Sequence, residues 1–301
     1  MQAGLGAPAM TGDVSGKVRA FYEECSFPGY EDLETPQDLA QKAEQGIYAR
    51  LLGEQIPFGT RVLDAGCGTG QLALYLSMVK ASVVGIDFSF ASLCKGQAFK
   101  ERFDLHDARF AQMNLFQLGL RPESFDYVFC NGVLHHTSDA AGGFRGLCAL
   151  VKRGGYIVVG LYNTYGRVLL DLRRVIFRLT GGRLLWLDHR LRQRSVGPDK
   201  KRIWFLDQYR NPHEDTFTVD DVLGWFAASG IEYVNAVPNI VPFQGLAAAE
   251  KLFAPHEPGS RLDHLLAQLG WIFSKSAEGG FFILIGRKAD KRRGGRASAP
   301  Q

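Results

Sequence analysis

The sequence predicts an α/β fold, in which a mostly parallel sheet carries helices on both faces. Short apolar runs of strand length alternate with apolar repeats of helical spacing between residues 61 and 161, and a cluster of glycines directly follows the first run. The 301 residues are enough for one main domain with insertions.

The composition is that of a soluble globular protein, with 46% hydrophobic and 22% charged residues. No apolar run approaches the roughly 20 residues of a bilayer span, and the N-terminus lacks the basic start and apolar centre of a secretory signal. We therefore expect a cytoplasmic protein. The five cysteines are scattered and no two have CxxC spacing, which favours reduced thiols over disulfides or a zinc site.

The first elements form a strand, a glycine loop and a helix in the run RVLDAGCGTGQLALYL, which begins at Arg61. Gly66, Gly68 and Gly70 form the turn, where a missing Cβ lets a nucleotide-like ligand approach the backbone amides. The next apolar run, SVVGIDF, predicts a second strand that ends at Asp87, about 20 residues later, where a carboxylate can bind both hydroxyls of a ribose. This unit predicts a nucleoside-binding βαβ half.

Two residues of the loop distinguish between kinds of nucleoside. A dinucleotide fingerprint requires a third glycine where this sequence has Gln71. Asp64 stands two residues before the first glycine, and its charge would repel a pyrophosphate but attract an ammonium group. A dinucleotide-dependent oxidoreductase is therefore disfavoured. The run DAGCGTG resembles the first motif, (D/E)xGxGxG, of class I S-adenosylmethionine-dependent methyltransferases.

The resemblance continues in order along roughly residues 55–161. The run SFDYVFCNGVLHHT resembles the family's fourth strand and following loop, and LVKRGGYIVVGLYN resembles its fifth strand. This pattern is typical of small-molecule methyltransferases such as those of ubiquinone and menaquinone biosynthesis. The resemblance implies a Rossmann-like sheet of seven strands with an antiparallel last strand, and S-adenosylmethionine as the cofactor.

The resemblance also implies the residues that bind the cofactor. Asp64 would position the methionine end, Asp87 would bind the ribose, and Phe88 would pack on the adenine beside Met113. Asn114 occupies the place of an acid that accepts a hydrogen bond from the adenine amino group, and its side-chain oxygen can also accept. The implied set is Asp64, Gly66, Cys67, Gly68, Gly70, Asp87, Phe88, Met113, Asn114 and Asn131.

Two adjacent histidines, His135 and His136, follow the fourth strand, at the sheet edge where ligands bind. Adjacent side chains diverge and no further ligand stands at metal spacing, so we predict no metal site. A histidine that only hydrogen-bonds the loop is an equal alternative for each. Methyl transfer depends on positioning and is helped by a base, so both are candidates for base or substrate orientation. The resemblance favours His136.

Three further residues are secondary catalytic candidates. His213 and Glu214 lie in the polar run DQYRNPHEDTFT, and Tyr162 follows the fifth strand. The alternative for His213 and Glu214 is that they belong to a polar loop that caps the next helix. Thr218 and Asp221 have the capping-box spacing that marks the start of that helix. For Tyr162 the alternative is packing.

A basic segment covers residues 162–202, with eleven lysines and arginines against three acids. Its predicted helix is amphipathic and has three interpretations: packing on its own domain with a solvated basic side, which we favour, contact with a membrane surface, or docking of an acidic partner. The run CNGV replaces the NPPY motif of nucleic-acid amine methylation, which argues against nucleic acid. The apolar face comprises Val168, Leu172, Val175, Ile176 and Leu179, and Arg167, Arg173, Arg174 and Arg178 lie on the other faces.

The predicted domain organisation is an N-terminal helical cap at 1–54, a methyltransferase domain at 55–286 and a basic disordered tail at 287–301. The domain carries insertions at 162–216 and 241–279, and IEYVNAVPNI and FFILIGRK predict its closing antiparallel strands. We also expect helices near Leu39 to Leu52, Leu246 to Phe253 and Leu262 to Phe273. Cap and insertions would roof an apolar pocket for a medium-sized apolar or aromatic substrate.

These observations predict methyl transfer to a small-molecule nucleophile, with oxygen favoured over nitrogen or carbon by the resemblance alone. The alternatives are a carrier-bound or macromolecular substrate, RNA or protein, and a non-catalytic nucleoside-binding partner.

Overall fold

The computed structural model describes residues 14–26, 28–30, 32–79, 81–181, 184–193, 197–245, 249–274 and 279–290. It confirms the α/β fold with one seven-stranded sheet in the order β3-β2-β1-β4-β5-β7-β6. The first five strands are parallel, whereas β7 pairs antiparallel with both β5 and β6, as expected. The strands are β1 Arg61–Ala65, β2 Ser82–Asp87, β3 Ala108–Gln112, β4 Phe125–Asn131, β5 Val151–Tyr162, β6 Ile231–Val237 and β7 Phe281–Lys288.

Helices cover both faces of this sheet. Alternate residues of β4 and β5 enter two separate apolar layers, because successive side chains of a strand point to opposite faces. Leu52 and Leu76 belong to one layer, and Phe144 and Phe226 belong to the other. The helices are α1 Val14–Glu24, α2 Pro36–Glu44, α3 Ile47–Gln55, α4 Gln71–Val79, α5 Phe90–Arg102, α6 Ala140–Leu150, α7 Thr164–Leu179, α8 His189–Arg192, α9 Pro198–Arg210, α10 Val219–Ala228 and α11 Arg261–Ser274.

Side-chain caps fix where two of these helices begin. Thr218 and Asp221 form the predicted capping box of α10, because each side chain bonds the backbone N–H of the other residue. Asn163 caps α7, since its Oδ1 accepts the backbone N–H groups of Tyr165 and Gly166, each at 3.0 Å. Asn163 directly follows β5, so this cap sets the direction in which the chain leaves the sheet.

Several predicted boundaries differ from the structure. The helix expected near Leu39 to Leu52 is two helices, α2 and α3, and α11 confirms the helix expected at Leu262 to Phe273. Residues 246–248 lie outside the described residues, and 249–253 form turns rather than the expected helix. Strand β7 continues to Lys288, so the first two residues of the predicted tail belong to the sheet, and residues 291–301 lie outside the described part.

Helix α7 faces the opposite way from our prediction. Val168, Leu172, Val175 and Leu179 are 45%, 54%, 51% and 80% exposed, whereas Arg167 is completely buried. Arg167 is stabilised inside the protein by an ion pair with buried Glu214, a partner on a distant segment. The interpretation that the apolar face packs on its own domain is therefore wrong for these four residues.

Two findings concern the cysteines and the expectation that the chain does not cross a membrane. All five cysteines are free thiols in the structure. In the part of the chain that the structure describes, no helix has both the length and the apolar character needed to cross a bilayer.

Candidate active site

A cavity of about 380 Å³ opens beyond the carboxyl ends of β1, β2 and β4, beneath α1. Its lining contains the glycine loop together with the second predicted histidine and two tyrosines. The residues that we call the loop end are Gly66, Cys67, Gly68, Asp87, Phe88, Met113, Asn114 and Asn131. Those that we call the reaction end are Tyr22, His136, Tyr162, Asp207 and Phe281.

The glycine loop adopts a conformation that side chains would prevent. Gly66, Gly68 and Gly70 have φ angles of +74°, +55° and +79°, in the left-handed region. A Cβ on Gly66 would lie 2.3 Å from the side chain of Val133, and one on Gly70 would lie 2.4 Å from the ring of Phe110. Both the tight turn and the close packing therefore require glycine, and the open side of the loop at Gly66 and Gly68 faces the cavity.

Asp87 joins the end of β2 to this loop. Its carboxylate accepts the backbone N–H of Gly68 and that of Ser89, each at 2.8 Å. Burial raises the pKa of Asp87, and these backbone hydrogen bonds oppose the increase. The carboxylate lies at the cavity, where its remaining lone pairs can accept hydroxyl hydrogens.

Two asparagines line the same end of the cavity. The Oδ1 atom of Asn131 is buried and has no hydrogen-bond partner among the described residues. The Asn131 side chain interacts with the hydroxyl of Tyr48, which is also buried without a hydrogen bond of good geometry. Asn114 differs from our expectation, because its Oδ1 already accepts the backbone N–H of Phe116 at 3.0 Å. Only the second lone pair of that oxygen is left for an adenine amino group.

Asp64 does not line the cavity, although the resemblance implies that it contacts the cofactor. The residue is 4% exposed at the end of β1. Burial and the nearby charge of Asp87 raise the pKa of the Asp64 carboxyl to about 7. Its negative charge therefore acts on the loop from within the protein.

Replacing Asp64 with asparagine is expected to stabilise the fold while weakening cofactor binding. The folded-state pKa exceeds the ordinary value of 3.8, so ionisation disfavours the folded state, and this penalty grows from about pH 4 to pH 7 and is constant above. We expect Asp64→Asn to raise the free energy of unfolding by about 2 kcal/mol at pH 8, with little gain at pH 4. Urea unfolding at both pH values measures this difference. An equal change in the free energy of unfolding at pH 4 and pH 8 would contradict the raised pKa of Asp64.

At the reaction end, hydrogen bonding fixes the tautomer of His136. Its Nδ1 lies 2.7 Å from the backbone carbonyl oxygen of His213. Because a carbonyl can only accept, Nδ1 carries the hydrogen and Nε2 keeps the lone pair. Burial lowers the pKa of His136, so the ring is neutral near pH 7. His136 lines the cavity and therefore satisfies the geometric requirement for a base.

His135 is not in the cavity lining. It is completely buried, and its ring centroid lies 4.2 Å from those of both His136 and Tyr162. Burial holds its pKa well below the usual value, and the neighbouring positive charge of Arg167 lowers it further. The structure thus gives His135 a packing position behind His136 rather than the predicted contact with substrate.

His213 and Glu214 also lie outside the cavity lining. The ring Nε2 of His213 hydrogen-bonds the carbonyl oxygen of Thr137 at 3.1 Å, and its own backbone carbonyl holds His136. Glu214 forms ion pairs with Arg167 and, at 2.8 Å, with Arg174. His213 positions the loop that carries His136, whereas Glu214 holds α7, and neither reaches the cavity as predicted.

Sequence reasoning missed three residues of the reaction end, Tyr22, Asp207 and Phe281. The Tyr22 hydroxyl donates to Asp207 Oδ1 at 3.4 Å and accepts from Asn211 Nδ2 at 3.2 Å. Gln208 donates to both Asp207, at 2.7 Å, and the hydroxyl of Tyr162, at 3.0 Å. Tyr22 belongs to α1, which carries no motif, and Asp207 begins the polar run in which residue type favoured His213. The only sequence signal was that polar run itself.

Comparisons with known proteins agree with this geometry. A family model described as "Methyltransferase domain" matches residues 58–192. An uncharacterised protein of Synechococcus sp. is 28% identical over 254 residues, which are 75% of this chain and 61% of that protein. The ubiquinone biosynthesis O-methyltransferase of Paracidovorax citrulli is 34% identical over 113 residues, 37% of this chain and 48% of that enzyme. The chain thus matches about half to three fifths of the length of these relatives.

A solved structure matches over nearly the whole chain. The magnesium protoporphyrin IX methyltransferase of Synechocystis PCC 6803, with bound S-adenosylhomocysteine, has a TM-score of 0.53 at 16% identity. The alignment covers 92% of this chain and all of that one. At this identity the likeness concerns the fold.

The residues present fit S-adenosylmethionine. The backbone of Gly66 and Gly68 lines the cavity, and Asp87 beside it offers lone pairs to ribose hydroxyls. Among the described residues, no group of three or more histidines, cysteines or acids could hold a metal ion. Motif order, fold and cavity agree with the domain match, and residues 58–192 therefore form a methyltransferase domain.

Proposed function

We propose that the protein transfers the methyl group of S-adenosylmethionine to a small molecule, at an oxygen in preference to nitrogen or carbon. The observation that carries this proposal is one continuous cavity that joins the glycine loop to the reaction end. That end contains a neutral histidine, His136, whose Nε2 keeps its lone pair. The cofactor supplies an electrophilic methyl group, and the protein supplies position and a proton acceptor.

In this mechanism Gly68, Asp87 and Asn131 would hold the cofactor, which would supply the methyl group and leave as S-adenosylhomocysteine. His136 Nε2 would accept the proton of a substrate hydroxyl as its oxygen takes the methyl group. Tyr22 and Asp207 orient the substrate through hydrogen bonds. Burial and the Asp207 charge raise the pKa of Tyr22 well above its ordinary value, so the phenol stays protonated and acts as a donor.

The lining favours a substrate with an apolar body and one polar group. Val18, Val133, Leu115, Phe116 and Phe281 contribute apolar surface to the cavity. His136, Tyr162 and Asp207 add a few polar groups, as expected where such groups fix the orientation of an apolar ligand. An aromatic hydroxyl compound fits this distribution, and the similarity to the ubiquinone O-methyltransferase supports the choice of oxygen.

We also propose that residues 1–54 and the insertion at 162–216 act as the substrate cap. Helix α1 contributes Ser15, Val18 and Tyr22 to the lining, and α9 contributes Asp207. Side chains of the glycine loop bond the segment after α1: Thr69 donates to the carbonyl oxygen of Pro28 at 2.6 Å. The cap would therefore exclude water from the cavity when a ligand is bound.

Calorimetric titration tests the cofactor half of the proposal. We expect saturable binding of S-adenosylmethionine and S-adenosylhomocysteine, and none of NADH. Asp87→Ala removes a charged acceptor of the ribose hydroxyls and is expected to weaken binding roughly 10- to 100-fold. Asp107→Ala, at an exposed position before β3, is the matched control and should bind as the wild type does.

Methyl transfer itself is measured by S-adenosylhomocysteine formation with a panel of phenols, amines and carbon acids. Product with phenols supports the proposal. Cofactor binding without product from any acceptor class would replace it with the non-catalytic alternative, and absence of cofactor binding would contradict the assigned site.

A further inference from the structure

Helix α7 presents an apolar stripe to solvent. Val168, Leu172, Val175 and Leu179 follow the spacing i, i+4, i+7, i+11, so they lie along one side of the helix. Their exposures range from 45% to 80%. The opposite side of α7 supplies the inward contacts, through Gly166, Arg167, Leu170 and Phe177, which are all buried.

Helix α11 carries a stripe of identical spacing. Leu262, Leu266, Leu269 and Phe273 are 63%, 49%, 41% and 78% exposed. Its buried side consists of His264, Ala267, Gln268 and Trp271. The two helices pack against each other, and Gln268 on α11 accepts a hydrogen bond from the α7 cap, Asn163, at 2.8 Å.

The two stripes do not contribute to the chain's own core. The inner faces of both helices are already filled. Folding therefore gives no reason for seven apolar residues at solvent-facing positions: Val168, Leu172, Val175, Leu179, Leu262, Leu266 and Leu269. Single exposed leucines are ordinary, but contiguous apolar surface marks a site of interaction. The spacing on both helices indicates a surface that a partner covers.

The charge around α7 identifies the kind of partner. Three of the segment's arginines are held internally, Arg167 and Arg174 by Glu214 and Arg173 by Asp188. Four others are exposed: Arg178, Arg190, Arg192 and Arg202. Of the segment's acids whose side chains the structure describes, Asp188 is buried and Asp171 is paired with Arg174. The segment that carries the α7 stripe therefore also carries exposed positive charge.

We propose that the α7 and α11 stripes dock the protein on an anionic membrane surface. Apolar side chains would enter the boundary between headgroups and acyl chains, while the exposed arginines meet lipid phosphates. Trp186, 58% exposed in the turn before α8, has the amphipathic side chain that suits this interface. A second copy of the chain fits less well, because pairing these faces would bring the exposed arginines of two copies together.

Vesicle flotation of the full chain tests the proposal. We expect binding to vesicles of phosphatidylcholine with 30% phosphatidylglycerol, and much weaker binding to pure phosphatidylcholine or in high salt. Leu172→Glu and Leu266→Glu, each at an exposed position, are expected to reduce partitioning at least tenfold. Phe58→Glu, which makes the same change at an 80% exposed residue outside both helices, should bind as the wild type does.

The fold of each variant is checked by its binding of S-adenosylhomocysteine, which the stripes do not contact. The proposal would be overturned if the wild type did not bind anionic vesicles. It would also be overturned if Phe58→Glu reduced vesicle binding as much as Leu172→Glu and Leu266→Glu do. Light scattering provides a separate check: a wild-type dimer that Leu172→Glu converts to monomers, without vesicle binding by either, would assign the stripes to self-association instead.

Discussion

Arg167→Met is expected to lower the free energy of unfolding by about 3 kcal/mol, because it leaves the buried Glu214 carboxylate with one arginine instead of two. The guanidinium also donates to Gln208 Oε1 at 2.5 Å and to the Gly279 carbonyl at 3.0 Å, and it lies 3.6 Å from the centroid of the Tyr162 ring. It therefore joins α7, α9, the loop before α10 and the start of β7. Thermal unfolding should shift by roughly 6–12 °C.

The matched control is Arg145→Met on α6, where the arginine is exposed and the change should stay within about 0.5 kcal/mol. The double variant Arg167→Met with Glu214→Gln should recover part of the loss, since it removes both buried charges. Equal unfolding temperatures for Arg167→Met and Arg145→Met would contradict the role assigned to this ion pair.

His136→Ala is expected to reduce kcat roughly 100-fold with the preferred hydroxyl acceptor, because it removes the proton acceptor. Cofactor affinity, measured by calorimetry, should be unchanged, since His136 is not among the residues proposed to bind the cofactor. His106→Ala, which changes an exposed histidine before β3, is the control for the loss of an imidazole.

The pH dependence of kcat distinguishes a base from a packing residue. Burial lowers the pKa of His136, so its lone pair is available at neutral pH and is lost only below about pH 6.5. The wild-type rate should therefore fall on the acid side, and His136→Ala should lack that fall. A variant with wild-type turnover would direct attention to Asp207 as the proton acceptor.

The cofactor half of the site was predictable because its chemistry is local. The turn at Gly66 to Gly70 needs left-handed backbone angles, which glycine alone adopts readily, and Asp87 follows at the distance that one βαβ unit sets. The capping box of α10 was equally predictable from the sequence, since its two hydrogen bonds join Thr218 and Asp221, which are three residues apart.

The reaction end and the orientation of α7 were not predictable, because both depend on contacts between distant segments. Asp207 accepts a hydrogen bond from Tyr22, which is 185 residues away in the chain. Periodicity located the apolar side of α7 correctly, but an arginine turns inward when a buried acid is available, and Glu214 lies 47 residues further on. A single sequence contains no local signal for such a pair.

The boundary of the matched domain has a consequence for engineering the protein. Residues 58–192 hold the cofactor loop and His136, whereas Tyr22 and Asp207 lie on either side of that range. A chimera that exchanged α1 and α9 with those of a relative would keep its methyl donor while inheriting a different acceptor preference. Sequence similarity measured over residues 58–192 alone therefore reflects the evolution of the methyl-donor site. Tyr22 and Asp207, proposed to orient the acceptor, lie outside that range and can change independently.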